Sequence, residues 1–527
     1  MVDDERDMFN ERPSQQHKRK KAKSKQVFKP YQQHQAMLLP PSLEELIPEK
    51  HLVRVVNETI DKLNIEPLVA TYKGDGTSAY HPLMLLKVLV YAYLTRTYAS
   101  RMIAKALNEN VHFMWLSGMS HPDFRTINTF RSSRLKEVID QVFGSMVFFL
   151  LDHGYVDLQQ YFVDGTKLRA DSNKHKVVWA KNTKRYKEKV QQKINEQLRE
   201  IEHTNAQEQE RYGEHTTLTS EGVKEQVNKL NEIMQQGNAS SKRTAKAVKE
   251  IETKLLPKLE KYEQQEETLA GRNSYARTDP DATVFRTKDD QLLPAYNILI
   301  GTQRQFIVNY NFHQQKASES DGFPAHLQHM HSLLGRYPAL VMGDSAYGSE
   351  ENYALLAGKG VGNYLKYNTF HLEQTKKYRT HPYRKENFLY DAATDTYTCP
   401  QGQSMELKQL RPVITQNGYR TSVRVYQSRD CGGCPVAGLC KRGEGPRTIQ
   451  VNPTVDAYRA QARANLNSEQ GLALRKQRGI DVEPPFGDIK FNQGYTRCRL
   501  RGQAKVNVEI GLLSIAHNTK KIARWIN

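Results

Sequence analysis

Cysteine is scarce: five in 527 residues are too few for a disulfide scaffold, and four of the five fall between Cys399 and Cys440. Long apolar runs are missing as well. The longest, Met146 to Leu151 and Leu83 to Val90 broken by Lys87, fall short of the roughly 20 residues a membrane-spanning helix needs, so they read as buried helices. The first eight residues hold four acids and lead into polar sequence, which fits neither a secretory signal nor a transit peptide. A cytosolic or nucleoid location is expected. Acids are outnumbered, 58 against 77 lysines and arginines, and the net charge of +19 favours a polyanionic partner such as DNA or RNA. The length exceeds what one core can fill and predicts three or four units of roughly 150 residues each.

What is present begins with a basic tract, HKRKKAKSK from His17 to Lys25, which includes Arg19. It predicts a disordered arm over residues 1–30 that lies along a phosphate backbone or simply solubilises the chain. A helical region over 31–155 follows. Ser42 and Glu45 form a capping box ahead of Leu46 and Ile47, and Leu52, Val55, Val56, Ile60 and Leu63 repeat at helical spacing. Further helices are predicted over 82–93, 100–108, 111–116 and 123–134, a succession like a helix-turn-helix unit. On that reading Thr126, Asn128, Thr129, Arg131 and Arg134 face phosphates or base edges. A helical packing domain with a solvated polar face fits the same spacing.

From Tyr161 the pattern changes to a buried strand, Tyr161-Phe162-Val163, ending at Asp164-Gly165 as at a turn. Residues 174–271 are charged and glutamine-rich, with Val190, Ile194, Leu198 and Ile201 at helical spacing, and predict an inserted hairpin of long helices that turns within 212–221 or 237–241. Strand signals resume over 295–300 and 305–310 as a hairpin, followed by a helix over 318–334, a strand over 339–342, a helix over 350–357 and a strand over 363–366. With a late helix this order describes an α/β fold with a mixed RNase H-like sheet, built from 156–173, 272–372 and 464–527. The first and fourth strands of such a sheet lie side by side. A Cys-rich insertion occupies 373–463.

Three segments far apart each carry a carboxylate: Asp164 in YFVDGTKL, Asp344 in ALVMGDSAYG and Glu483 in VEPPFGDIK. Two Mg²⁺ ions roughly 3.5 to 4 Å apart at a scissile phosphate need acidic oxygens from several sides, so separation in sequence is expected. Glu483 and Lys490 stand seven residues apart, two helical turns, and would share a face. Pro484-Pro485 suggests that this helix starts there. Asp171, Asp279 and Asp281 compete for metal-binding roles, although solvated turn acids are commoner. Cys399, Cys431, Cys434 and Cys440, with a CxxC unit among them, suit a tetrahedral structural zinc. Cys498 stands apart. His326, His329 and His331 do not share a helical face and read as packed or solvated.

The helix around Pro122-Asp-Phe-Arg-Thr-Ile-Asn-Thr-Phe-Arg131, VDGTKLRADSNK from Val163, TDPDAT from Thr278, GDSAYGSEEN from Gly343, EPPFGDIKFNQGYTRCRLRG from Glu483, and Ala516-His517-Asn518 together resemble bacterial insertion-sequence transposases. These carry an Asp-Asp-Glu triad, a helical N-terminal domain and an RNase H-like core. The resemblance covers nearly the whole chain. It implies that Asp164, Asp344 and Glu483 are the triad and that Lys490 is similar to the lysine following its glutamate. Related families place a tyrosine and an arginine seven and four residues before that glutamate; here Lys476 and Gly479 stand there, and Arg478 is shifted by one. The implied activity is DNA cleavage at element ends and 3′-hydroxyl strand transfer with two Mg²⁺ or Mn²⁺ ions, on double-stranded DNA held by a homodimer, with Lys490, Arg131, Arg134 and Arg19 among the DNA contacts. An RNase H-like structure-selective nuclease or resolvase would share the acids without joining ends. A non-catalytic DNA-binding descendant would keep only the basic surface.

Overall fold

The computed structural model describes residues 42–72, 78–204, 218–235, 242–287, 290–314, 320–415 and 417–526. The basic arm, Arg19 included, lies outside them. Residues up to Leu46 form a unit separate from Ile47–Asn527. In the first, Ser42 and Glu45 make the reciprocal capping contacts, Glu45 N to Ser42 Oγ at 3.3 Å and Ser42 Oγ to Glu45 Oε1 at 3.1 Å, but they close a turn rather than open a helix.

In the second unit, α1 (Leu52–Asp61) is capped by His51 and buries Val53, Val56 and Ile60 completely. The buried face is rotated by one residue from the predicted one, leaving Leu52 and Val55 half-buried. Then come α2 (Glu66–Val69), α3 (Pro82–Leu94), α4 (Ser100–Glu109), α5 (Val111–Ser117), α6 (Phe124–Thr129) and α7 (Leu135–Asp152). A π-helical turn, Phe130–Arg134, joins α6 to α7 without a break, so the expected last helix runs on for 18 residues more.

The central sheet is mixed. Its strands are β1 (Tyr161–Arg169), β4 (Thr283–Arg286), β5 (Leu292–Gln303), β6 (Phe306–Phe312), β7 (Leu340–Gly343) and β8 (Gly362–Leu365). β1 is antiparallel to β5 and parallel to β7, β7 is parallel to β8, and β5 pairs on its other side with both β4 and β6. The predicted stop at Asp164-Gly165 is corrected: β1 pairs with β5 from Phe162 to Arg169, and this ladder overrides the turn preference of Asp-Gly. α12 (Phe323–Leu334) and α13 (Glu350–Gly358) connect the later strands.

Between β2 (Val177–Trp179) and β3 (Ser274–Ala276), which pair with each other, lie α8 (Ala180–Thr204), α9 (Ser220–Gln235), α10 (Lys242–Glu250) and α11 (Leu256–Leu269). The predicted turns at 212–217 and 237–241 lie outside the described residues, and Ser220 and Glu221, expected in the first of them, already belong to α9. Ile194, Val223, Val227, Ile251 and Leu259 share an apolar cluster of their own. α10 passes into α11 through a π turn, Ile251–Leu255, just before Pro257, whose ring nitrogen has no proton for the helical ladder.

After α14 (Lys376–Arg379), a second antiparallel sheet runs β13–β12–β11–β10–β9, with β9 (Leu389–Asp391), β10 (Thr396–Thr398), β11 (Ser404–Ile414), β12 (Arg420–Ser428) and β13 (Thr448–Val451); α15 (Ala437–Cys440) lies between the last two. α16 (Pro453–Asn467), α17 (Glu469–Gly487) and α18 (Gln503–Ile526) close the chain. α18 is buried along most of its length against α7, α3, α1 and β6. Asn518 braces the β6 backbone as a further strand would, donating to Ile307 O and accepting from Ile307 N, both at 2.8 Å. Among the described residues no helix is long and apolar enough to cross a membrane.

Candidate active site

Strand register brings the first two carboxylates together. Phe162 of β1 pairs with Met342 of β7, and two residues further along the chain stand Asp164, still in β1, and Asp344, one residue past the end of β7. Alternation puts them on the face that already buries Phe162 and Met342 under Leu474 and Val482 of α17. Two glycines allow the approach. A Cβ on Gly343 would press on Leu365 Cδ2 at 2.8 Å, and one on Gly348 would strike the backbone of Lys366 and Tyr367. The spacing of GDSAYG therefore reflects tight crossing of the chain after β7.

Arg478 of α17 bridges the pair, its Nη2 3.1 Å from Asp164 Oδ2 and 3.8 Å from Asp344 Oδ2. Asp164 Oδ1 also accepts from Gly165 N, and Asp344 Oδ1 from Ala346 N, fixing both carboxylates. More cations surround them. Lys366 follows β8, and its ammonium is pushed down first by burial and then by Arg478 and Arg475, with Asp344 opposing. Lys490 Nζ donates to Thr166 Oγ1, two residues beyond Asp164 on the same face of β1.

Glu483 is exposed on α17, five residues after Arg478 and so about 7.5 Å along the axis. Its Oε1 lies back toward Gly479. The expectation that its helix starts at Pro484-Pro485 is corrected. Ser468 caps α17, its Oγ accepting from Gly471 N at 3.0 Å, and both prolines lie inside the helix. The Ile480 carbonyl, which Pro484 cannot serve, accepts from Gln305 Nε2 at 3.0 Å instead. A π turn over Asp488–Asn492 follows, which alters the simple two-turn relation of Glu483 to Lys490.

The β5–β6 turn anchors this helix. Arg304 and Gln305 both have positive φ, 51° and 66°, as a type I′ hairpin requires. Asp481, buried on α17, accepts from Arg304 N at 2.9 Å and Gln305 N at 2.8 Å; burial pushes its carboxyl up even so. Sequence reads Arg478 only as shifted by one from the family arginine, and it gives Asp481 no role.

The other candidates separate. Asp171 is bound by Arg497 at 2.6 Å and Arg501 at 2.9 Å, Asp279 is buried under the Tyr296 hydroxyl at 2.9 Å, and Asp281 accepts from Gln503 N at 2.7 Å. All three fasten the segment before α18, away from the Asp164–Asp344 pair in role. Arg131 is corrected as a DNA contact: it is 4 % exposed and donates to Tyr98 O at 2.8 Å and Ser100 Oγ at 3.2 Å, tying helices together. Arg134 is half-buried, donating to Thr71 O over the Tyr72 ring. Asn128 and Thr129 remain exposed. His326 is buried between Tyr161 and Asn311, and burial and then His329 lower it to about 3, a packed neutral ring.

Cys399, Cys431, Cys434 and Cys440 line one cavity of about 30 Å³. Burial, partly offset by Arg447, and then the other three sulfurs raise the Cys440 thiol. Among the described residues no three His, Cys, Asp or Glu side chains are grouped so as to hold a metal ion. Zinc and magnesium sites are therefore not formed by the side chains as they stand; the shared cavity and the shared arginine show only which groups are neighbours.

Two family models match the chain, and both describe transposases: a transposase domain (DUF772) over residues 41–133 and a Transposase DDE domain over residues 398–523. The second spans Glu483, Lys490 and the four clustered cysteines, whereas Asp164 and Asp344 lie between the two matches. A comparison with curated proteins finds no match. The class these findings define is a transposase. More narrowly, the two domains together support an insertion-sequence DDE transposase, on a mixed α/β scaffold about half helical.

Proposed function

We propose that the chain binds the ends of an insertion sequence, cuts the DNA by metal-dependent phosphoryl transfer, and joins the freed 3′ hydroxyl to target DNA. One observation carries this reading: Asp164 on β1 and Asp344, one residue past the end of the neighbouring parallel strand β7, share one guanidinium. Hard anionic oxygens of this kind suit Mg²⁺ or Mn²⁺, and a side chain cation already placed between them marks where positive charge is favoured. Asp164 and Asp344 would hold the ions, with Glu483 completing the set from the exposed face of α17. When bound, the ions supply Lewis-acid activation of the nucleophile and relief of charge on the leaving oxygen.

The chain's own cations do the remaining positioning. Lys366 and Lys490 flank the carboxylates and orient the phosphate, while Arg478, once relieved of its two partners, turns to the same strand. The order β6–β5–β1–β7–β8, antiparallel on one side and parallel on the other, supports an RNase H-like core. We also carry forward the division at 1–30, 31–155, 174–271 and 373–463 around that core, a structural zinc on the four thiols, and a homodimer on double-stranded DNA.

Asp344→Ala is the test, assayed on end-containing duplex in Mg²⁺ and, separately, on precut ends with target DNA. Cleavage and joining should both fall by on the order of a thousandfold or more, with DNA binding largely retained. An Asp344→Ala protein that still nicks the ends sinks the assignment. Cleavage by the wild type without any joining favours the structure-selective nuclease instead.

A further inference from the structure

A cleft opens where the end of the helix that carries Glu483 meets the closing helix. It has a volume of about 290 Å³ and lies between the end of α17 and the last turns of α18. Pro484, the residue after Glu483 in the chain, forms part of its lining.

Its floor is already neutralised. Asp488 is buried and accepts from His517 Nδ1 at 3.0 Å and from Lys520 Nζ at 2.5 Å. Burial pushes the Asp488 carboxyl up, but these two donors outweigh it and hold it well below the usual range, so it stays charged and Lys520 stays engaged. Lys521 and Arg524 are left to face the opening. Lys521 donates to Gln305 Oε1 at 2.6 Å, and its ammonium is pushed down by burial and by repulsion from Arg524, with Asp481 opposing. An anion between Lys521 and Arg524 would relieve that repulsion. At the mouth stands Phe491, 80 % exposed, next to Lys490 in the chain and itself part of the cleft wall.

A basic pair explains affinity for a phosphate; it does not explain a solvent-facing aromatic ring. Exposed rings beside cations bind the open faces of unpaired bases, which a duplex does not offer. We propose that this cleft holds an unpaired nucleotide of the DNA strand adjoining the cut site, its phosphate between Lys521 and Arg524 and its base stacked on Phe491. The proposal rests on the transposase reading and adds a separate strand-holding site to it.

The test uses full-length protein without divalent metal, so that no cleavage intervenes. Fluorescence anisotropy compares a blunt duplex with the same duplex carrying a short single-stranded tail. Wild type should prefer the tailed DNA, and Phe491→Ala should lose roughly tenfold on that DNA alone. Lys521→Glu with Arg524→Glu should weaken tailed binding and flatten its salt dependence. A 2-aminopurine base in the tail should be quenched by wild type and not by Phe491→Ala. Unchanged melting of Phe491→Ala, an exposed position, certifies its fold. If Phe491→Ala keeps the wild-type preference and quenching, or if the charge reversals weaken both duplexes equally, the nucleotide site is overturned. Either result leaves the Asp344 cleavage test standing, so the two failures are distinguishable.

Discussion

Arg478 shows what a single side chain decides and what sequence alone leaves undecided. Its one-residue offset from the family position argues against a shared role, yet the helix turns it onto both carboxylates. Only the direction of a helical side chain settles that question. Asp171, Asp279 and Asp281 teach the converse, since their composition suits a metal while their partners are arginines, a tyrosine and backbone amides. If Arg478 balances Asp164 and Asp344, its loss leaves two like charges facing each other. Arg478→Gln should therefore melt a few degrees below wild type in EDTA and gain more from added Mg²⁺ than wild type does, read by differential scanning calorimetry. Equal gains in the two proteins would show that the arginine and the cation do not compete.

Among the elements, α3, α4, α5, α12, α13 and the β5–β6 hairpin fall within about five residues of their predicted bounds, α3 from its continuous apolar run and α4 from its amphipathic spacing. The misreadings share a physical cause. Asp164-Gly165 and Pro484-Pro485 are local turn or start signals, and in both places tertiary partners override them, the β5 ladder for one and the Gln305 side chain for the other. The π turns at Phe130–Arg134 and Asp488–Asn492 leave no sequence mark that spacing rules detect. The cysteine element is where element-level chemistry is most readily checked. A cavity of about 30 Å³ has room for little more than one water-sized body, and the proposed zinc would have to draw around it four thiols that are not grouped to hold a metal as they stand. Purified protein should carry close to one zinc per chain by atomic absorption, and Cys431→Ser with Cys434→Ser should lose it together with the melting cooperativity of this sheet. Zinc-free wild type that melts normally would leave four ordinary thiols.

For the molecule as a whole, charge was read directly: a net +19 foresees a polyanionic partner, and the matches to transposase domains agree in kind. The mixed sheet was also legible, because strand and helix order along the chain determines which strands can be neighbours. What one dimension hides is the role of α18. Ala516-His517-Asn518 enters the sequence reading only through the family resemblance, which does not show that the helix runs between the N-terminal helices and β6 while His517, Lys520 and Lys521 reach toward the end of α17 and the β5–β6 turn. The carboxylate pair thus depends on a helix that is itself held from the far end of the chain.

Divalent metal binding by that pair is read most directly by Mn²⁺ titration of the full-length protein, followed by electron paramagnetic resonance, with Asp164→Asn and Asp344→Asn beside it. Saturable binding in wild type that weakens roughly tenfold or more in each variant is the expected result. Mn²⁺ uptake that survives either substitution undiminished would contradict the shared site.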